Sequence, residues 1–470
     1  MRSIVSAALL SLAAPTSAHA AASAPKTPAP AAGREQALAI EFEKYSLPNG
    51  LEVILSHDDR LPVVAVNLWY HVGAFHEQPG RTGFAHLFEH RMFQGSRHVG
   101  DDAHISMLER LGATSLNGTT SFDRTNYFQT VPSHHLETAL WLESDRMGFL
   151  LDTLSEEKLK NQQDVVKNER RQNYETAPYG LANEQAWQVL FPAPHPYFGR
   201  VIGSMEDLDA ATLDDVKAFF ETWYAPSNAT LAIVGDYDPA TIRGLIEKYF
   251  GTLPTRPKPQ SPAVPKISLS EPVEIRVDET VASLPLLQVS WHTPAFFEEG
   301  DATADVLAIA LSSGKSSRLY RRLVLEKKLA QSVSARQQSM GAQSVFVIQA
   351  IARPGVSTDQ ILEEVDAVLA TIREEGITQQ ELQQARNRFE TGKVSGLQLV
   401  GGFGGKADIL QAYNHFLGDP GRLDWDLDRY EDVTVEEVRD FAKNELGPNR
   451  VVLHAVPPSS TASASLKGAR

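Results

Sequence analysis

The chain has 470 residues, 42% of them hydrophobic, which is long enough for more than one buried core and excludes a single small domain. Its 59 acidic residues against 44 basic ones give a formal charge of −15, which argues against a nucleic-acid backbone as partner. There is no cysteine, so disulfides and a lipid-modified N-terminal cysteine are both excluded.

Residues 1–20, MRSIVSAALLSLAAPTSAHA, run from Arg2 through an apolar stretch to Ala18-His19-Ala20 and read as a secretory signal peptide. No other segment is apolar over enough residues to span a bilayer. The mature protein is therefore expected outside the cytoplasm, in a bacterial periplasm, with no stable membrane span. Residues 21–33 form a Pro/Ala tether. LEVILS from Leu51 and VVAVNLWYHV from Val63 read as strands, the second ending at Gly73, and Thr82 to Phe93 reads as a helix. SLNGTTSFDRTNYFQTVP, residues 115–132, reads as two strands and a turn, followed by helices over 135–151 and 156–175. PTRPKPQSPAVPK, Pro254 to Lys266, has five prolines in thirteen positions, which prevents regular structure. The expected organisation is an N-terminal domain over 34–253, a linker over 254–268, a C-terminal domain over 269–456 and a loose tail over 457–470.

The two halves are related. TLDDVKAFFETWYAPSNATLAIV from Thr212 aligns without a gap to TVEEVRDFAKNELGPNRVVLHAV from Thr434, an offset of 222. LPVVAVNLW from Leu61 and LPLLQVSWH from Leu284 match at 223. The longer pair reads as a capped amphipathic helix, a proline and a strand. The fold class is α+β, two homologous half-domains in tandem, each a mainly antiparallel sheet packed with helices.

GFAHLFEHRMFQGS, Gly83 to Ser96, carries the chemistry. His86 and His90 lie four apart, one turn above each other on one helix face, so both can hold one metal ion. Glu89 leans towards the same point without having to be a ligand, which suits a base that takes a proton from the attacking water. Catalytic zinc sites have three protein ligands, so a third is needed. Glu143, Asp145, Asp164, Glu169 and Glu175 are candidates on later helices, and spacing does not choose among them. A structural zinc site is disfavoured, because such sites are closed by four ligands rich in cysteine.

The order H-x-x-E-H reverses the common zinc-protease helix motif and resembles the inverted-motif zinc peptidases of the pitrilysin, insulysin and mitochondrial processing peptidase family. The likeness extends through LNGTTSFDRTNYFQTVP, LWLESDRM, VVKNERRQNYETAPYG and HPYFGRVIGSMEDL, and through the duplicated half-domains. The resemblance implies one Zn2+ per chain, with Glu169 as the third ligand beside His86 and His90, Glu89 as the general base and peptide bonds as the electrophile. Gln162 stands where the family often has an acidic residue behind the ligands. Asn117, Gly118, Thr119 and Thr120 match the edge strand on which substrate backbone adds as a further strand. A noncatalytic structural or chaperone-like subunit is the rival function, disfavoured because such a subunit needs no base.

In the second half the offset of 223 puts Ile309, Ser312 and Ser313 at the places of His86, Glu89 and His90, so that half is expected to be a wall of the substrate chamber. Self-sufficient family members carry there an arginine and a tyrosine seven residues apart; the matching positions are Val324 and Gln331, with Tyr320, Arg321 and Arg322 nearby. The resemblance therefore implies the zinc-bearing subunit of a heterodimer, whose homologous partner supplies the arginine and tyrosine. GGFGGK, Gly401 to Lys406, lacks the first glycine and the Ser/Thr of a phosphate loop and is expected to be a flexible loop. His134 and His135 are read as a surface pair.

Overall fold

The computed structural model describes residues 38–458. The leader and tether expected over residues 1–33, and the tail from residue 459 onward, lie outside the described residues. Strands β1 (Glu43–Ser46), β2 (Glu52–His57), β3 (Val63–Tyr70), β4 (Thr114–Thr120), β5 (Thr125–Pro132) and β6 (Ala229–Gly235) form a six-stranded sheet in the order β1-β2-β6-β3-β5-β4. Strands β7 (Val273–Asp278), β8 (Leu286–Thr293), β9 (Ala330–Gln338), β10 (Ser344–Ala352) and β11 (Val451–Val456) form a second sheet in the order β7-β11-β8-β10-β9. Leaving β1 aside, the two orders correspond strand for strand, and in each sheet a single parallel pair, β2 with β6 or β7 with β11, accompanies antiparallel neighbours. The aligned helices Leu213–Trp223 and Val435–Asn444 open on reciprocal caps, Thr212 with Asp215 and Thr434 with Glu437.

The strand over 63–72 stops at Tyr70 instead of Gly73, and β1 and the helix Ala103–Arg110 are additions to the expected elements. The helix expected over 82–93 is shorter, Phe84–Arg91, because Gly83 takes a left-handed conformation that begins it. The helix over 156–175 is α-helical to Arg170 and widens into a π-turn over Arg171–Glu175.

One face of the first sheet packs on the motif helix and the helix Leu136–Phe149, around Leu68, Leu87, Phe88, Leu140 and Leu231. Its other face is covered from the second half. The helix Lys406–Leu417 lays Ala407 and Leu410 on Ile54, Ala65, Ala232 and Val234. Its Gln411 Nε2 donates to the carbonyls of Asn67, 2.8 Å, and Thr230, 2.7 Å. The first half reciprocates: Ala182, Ala186 and Leu190 of the helix Gly180–Leu190 pack with Val347, Leu453 and Ala455 of the second sheet. The halves are thus interlocked by an exchange of helices. Amphipathic periodicity reports that a face is buried, not which sheet buries it.

The glycine loop departs from the flexible form expected of it. Gly401 lies on β3 and β5 so closely that a Cβ there would meet Thr130 Oγ1 at 2.5 Å and Ala65 Cβ at 2.6 Å. The loop's ends are tied by Lys406 N to Leu399 O, 2.9 Å, and Ala407 N to Val400 O, 3.0 Å. Lys406 also pairs with Asp58 at 2.5 Å.

Candidate metal centre

The motif helix is held by its apolar face, Phe84, Ala85, Leu87 and Phe88, which is buried in the first core. No side chain at Gly83 caps it. Glu77 does so from six residues upstream, its carboxylate accepting from Gly83 N and Ala85 N, each at 2.8 Å. Burial pushes the Glu77 carboxyl up to about 8 despite these bonds.

Opposite the apolar face, His86 and His90 meet Glu169 of the helix Glu156–Arg170. Glu169 Oε2 lies 3.1 Å from His90 Nε2 and 3.8 Å from His86 Nε2. One donor atom from each of the three residues falls within a sphere of mutual separations of 4.8 Å. Ligands bound at about 2.0–2.1 Å around a tetrahedral zinc are spaced roughly 3.3 Å apart, so this donor set fits the ion with little movement. Burial alone would lower His90, but its hydrogen bond with Glu169 and the charges of Glu89 and Glu169 outweigh it, and its pKa lies above the usual histidine range. His86, more deeply buried, is shifted downward by desolvation. Burial acts to raise Glu169, yet the hydrogen bond from His90 and the two imidazoles hold it below the usual carboxylate range. Asn173 Nδ2 donates to Glu169 Oε1 at 3.3 Å.

Three of the other four acidic candidates are engaged elsewhere, and Glu175 lies in the π-turn beyond the helix, outside the group of three donors. Glu143 is buried against Arg146 and Gln129, and Asp145 accepts from Ser96 and pairs with His98. Asp164 pairs with Lys160 and Lys167, each at 3.0 Å. Gln162 is buried two turns before Glu169 and forms no hydrogen bond with any of the three donors. His86 Nδ1 is buried without a hydrogen-bond partner.

Glu89 stands beside the three donors, next to β4. Its Oε2 accepts from Thr120 Oγ1 at 2.6 Å. Strand β4 is the outermost strand of its sheet, so no further strand pairs with its free edge. Gly118 allows the helix to come this close: a Cβ there would lie 3.0 Å from Phe93, 3.1 Å from Tyr127 and 3.2 Å from Glu89 Cγ. A cleft of ≈ 510 Å³ is lined by His86, Glu89, Glu169, Gly118, Thr119 and Thr120. Asn117 is the one member of the expected strand set outside it, its Oδ1 turned back to accept from Gly118 N at 3.0 Å. Sequence reasoning missed Asn173, Tyr174 and Arg200, which also line the cleft, and the tie between Thr120 and Glu89.

In the second half Ser312 occupies the place of Glu89, and its hydroxyl pins its helix to the edge strand through Ala335, accepting from N at 2.8 Å and donating to O at 3.2 Å. Val324 is buried in the second core, and Gln331 is exposed on β9. Arg318, Arg321 and Arg322 are ion-paired to Glu381, Glu326 and Glu364. Among the described residues, no helix is long and apolar enough to cross a membrane.

Residues 52–188 match the family model described as Insulinase (Peptidase family M16), and residues 210–389 match the one described as Peptidase M16 inactive domain. The chain is 29% identical over 364 residues to the zinc protease PqqE of Helicobacter pylori, covering 76% of this chain and 80% of that one. It is similar to the crystal structure of a protease from Helicobacter pylori, at a TM-score of 0.82 and 26% identity, with 89% of this chain and 100% of that chain covered. The periplasmic protease PqqL from Escherichia coli shares the fold at a TM-score of 0.72 and 19% identity; the match covers 92% of this chain but 50% of that one.

Proposed function

The chain consists of tandem domains of the insulinase peptidase family, and from that premise we propose that it is a zinc-dependent peptidase acting on extended peptides or unfolded protein segments outside the cytoplasm. The observation that carries the reading is the convergence of His86, His90 and Glu169 beside Glu89 at the free edge of β4. A zinc ion, one per chain, held by those three side chains supplies Lewis acidity towards the peptide carbonyl and the attacking water. The protein's own part is positional. The edge of β4 at Gly118–Thr120 aligns substrate backbone as an added strand, which reads main chain rather than sequence. Thr120 fixes Glu89 Oε2, and Oε1 takes the proton and returns it to the leaving amine.

The test is zinc analysis of the purified protein alongside cleavage of a quenched peptide library. His86→Ala and Glu169→Gln are expected to lose zinc and activity, whereas Glu89→Gln keeps zinc and loses hydrolysis. Wild-type cleavage by Glu89→Gln would refute the assigned base.

The same reading includes a partner. With Val324 buried and the nearby arginines ion-paired, the matching stretch of this chain offers no arginine and tyrosine pair to the substrate, and the match to PqqL spans only 50% of that chain. A homologous subunit supplies the pair. The isolated chain is expected to cleave weakly and to gain activity with its paralogue; full activity alone, with no gain, would remove the partner from the scheme.

A further inference from the structure

The glycine loop and its entry hold two large apolar side chains in solvent within five residues: Leu399 is 55% and Phe403 63% exposed. The loop is not free to fold them away. Its ends are hydrogen-bonded together, Gly401 is wedged on β3 and β5, and Gly404 N donates to Asp408 Oδ2 at 2.9 Å.

The loop's position relative to β4 gives those side chains a use. Alternate residues of β4 face opposite sides. Gly118 and Thr120 face Glu89; Asn117 faces the other side, opposite Phe128, with which it is paired in the sheet. Phe403 packs edge-on against Phe128, ring centres 5.1 Å apart, and a Cβ on Gly402 would lie 3.2 Å from Ser115 Oγ. The loop therefore crosses the sheet towards the free edge, on the side that the other alternate residues of an added strand would face. At about 3.3 Å per residue, Asn117 lies roughly 10 Å and Ser115 roughly 16 Å along the edge from Thr120.

We propose that Leu399 and Phe403 form an apolar subsite that takes a hydrophobic side chain of an extended peptide lying along β4, about three to five residues from the bond that is cut. This rests on the peptidase reading for the place of the cut bond. It adds a side-chain preference to a site that otherwise reads only backbone, and assigns it to the half without the metal ligands.

The test uses the full-length chain carrying Glu89→Gln and fluorescein-labelled ten-residue peptides of serine and glycine, with one leucine moved along the sequence. Binding is read by fluorescence anisotropy, and cleavage by the unsubstituted chain is measured separately. Leucine at one position is expected to tighten binding about tenfold over serine. Phe403→Ser with Leu399→Ser is expected to erase that preference while leaving the all-serine peptide unchanged, and Phe403→Leu to retain it. A preference that survives the double substitution, an equal loss for every peptide, or a change in mass by light scattering with the preference intact would overturn the proposal, the last by assigning the patch to a protein partner. Leucine preference without any cleavage would leave the subsite standing and remove the peptidase reading; cleavage without a leucine preference would do the reverse.

Discussion

Thr120→Val isolates the contribution of one hydrogen bond. Valine has nearly the shape of threonine and the same preference for a strand, so β4 keeps its edge and only the hydroxyl is lost. That hydroxyl makes the one side-chain hydrogen bond to Glu89 among the described residues, at 2.6 Å to Oε2. A hydrogen bond to a charged group contributes about 1.5–3 kcal/mol, and 1.36 kcal/mol is tenfold in rate, so kcat should fall by roughly ten- to a hundredfold if the carboxylate loses its orientation. KM should move little, because the backbone of Thr120 still faces the substrate. Zinc content should not change, since neither His86, His90 nor Glu169 touches this hydroxyl. The assay is steady-state hydrolysis of a quenched peptide with metal analysis of the same preparation; Thr120→Ser should restore most of the rate. Unchanged kcat, or a rate that falls only in proportion to lost zinc, would refute the positioning role.

Gly118→Ala should cost about 1–3 kcal/mol of stability and most of the activity, because its methyl presses on Phe93, Tyr127 and Glu89; thermal melts and kcat check this, and a fully active variant would contradict it. Leu410→Ala, at a fully buried position on the exchanged helix, should destabilise by about 2–5 kcal/mol while both sheets still melt in one transition; separate transitions in calorimetry would show the halves to be independent. Asp305 has its carboxyl raised by burial to about 7, against the pull of its bond from Tyr430, and the charges of Asp301 and Asp426 add to the rise. Its contribution to stability is fully present below its unfolded value near 3.8 and is lost as pH rises through about 7. Asp305→Asn should therefore gain on the wild type from pH 4 to pH 8, by on the order of 2–4 kcal/mol for this partly exposed group, as read by urea unfolding; a pH-independent difference would refute the linkage.

The motif helix was legible because two histidines and a glutamate at helical spacing state their own geometry. Glu169 was not: five carboxylates sit on the following helices, and the resemblance alone picked one. What sets Glu143, Asp145 and Asp164 apart physically is their partners. Arg146 beside Glu143, and Lys160 and Lys167 beside Asp164, lie three or four residues away on the same helices and are readable as neutralising neighbours. The partners of Asp145, Ser96 and His98, come from a distant loop and leave no local trace. Glu77 escaped for a similar reason, since caps are sought at the helix start and this one arrives from upstream. The duplicated sheets were visible as an offset, but the glycine loop suggested mobility, and its close seat on Ala65 and Thr130 exists only once the halves have interlocked.

The exchange of helices also sets an order of events during synthesis. The first sheet is complete in sequence when β6 ends at Gly235, yet the helix that covers its outer face begins only at Lys406. At about 5–20 residues per second the ribosome needs roughly 10–30 s to deliver it, during which Ile54, Ala65, Ala232 and Val234 lack the cover of Ala407 and Leu410 and keep only that of Ile40 and its neighbours among the described residues. A nascent chain of this kind is a client for holding factors over that interval, and a transcript ending between the two halves would yield a product with a sticky, unfinished face rather than a smaller working protein.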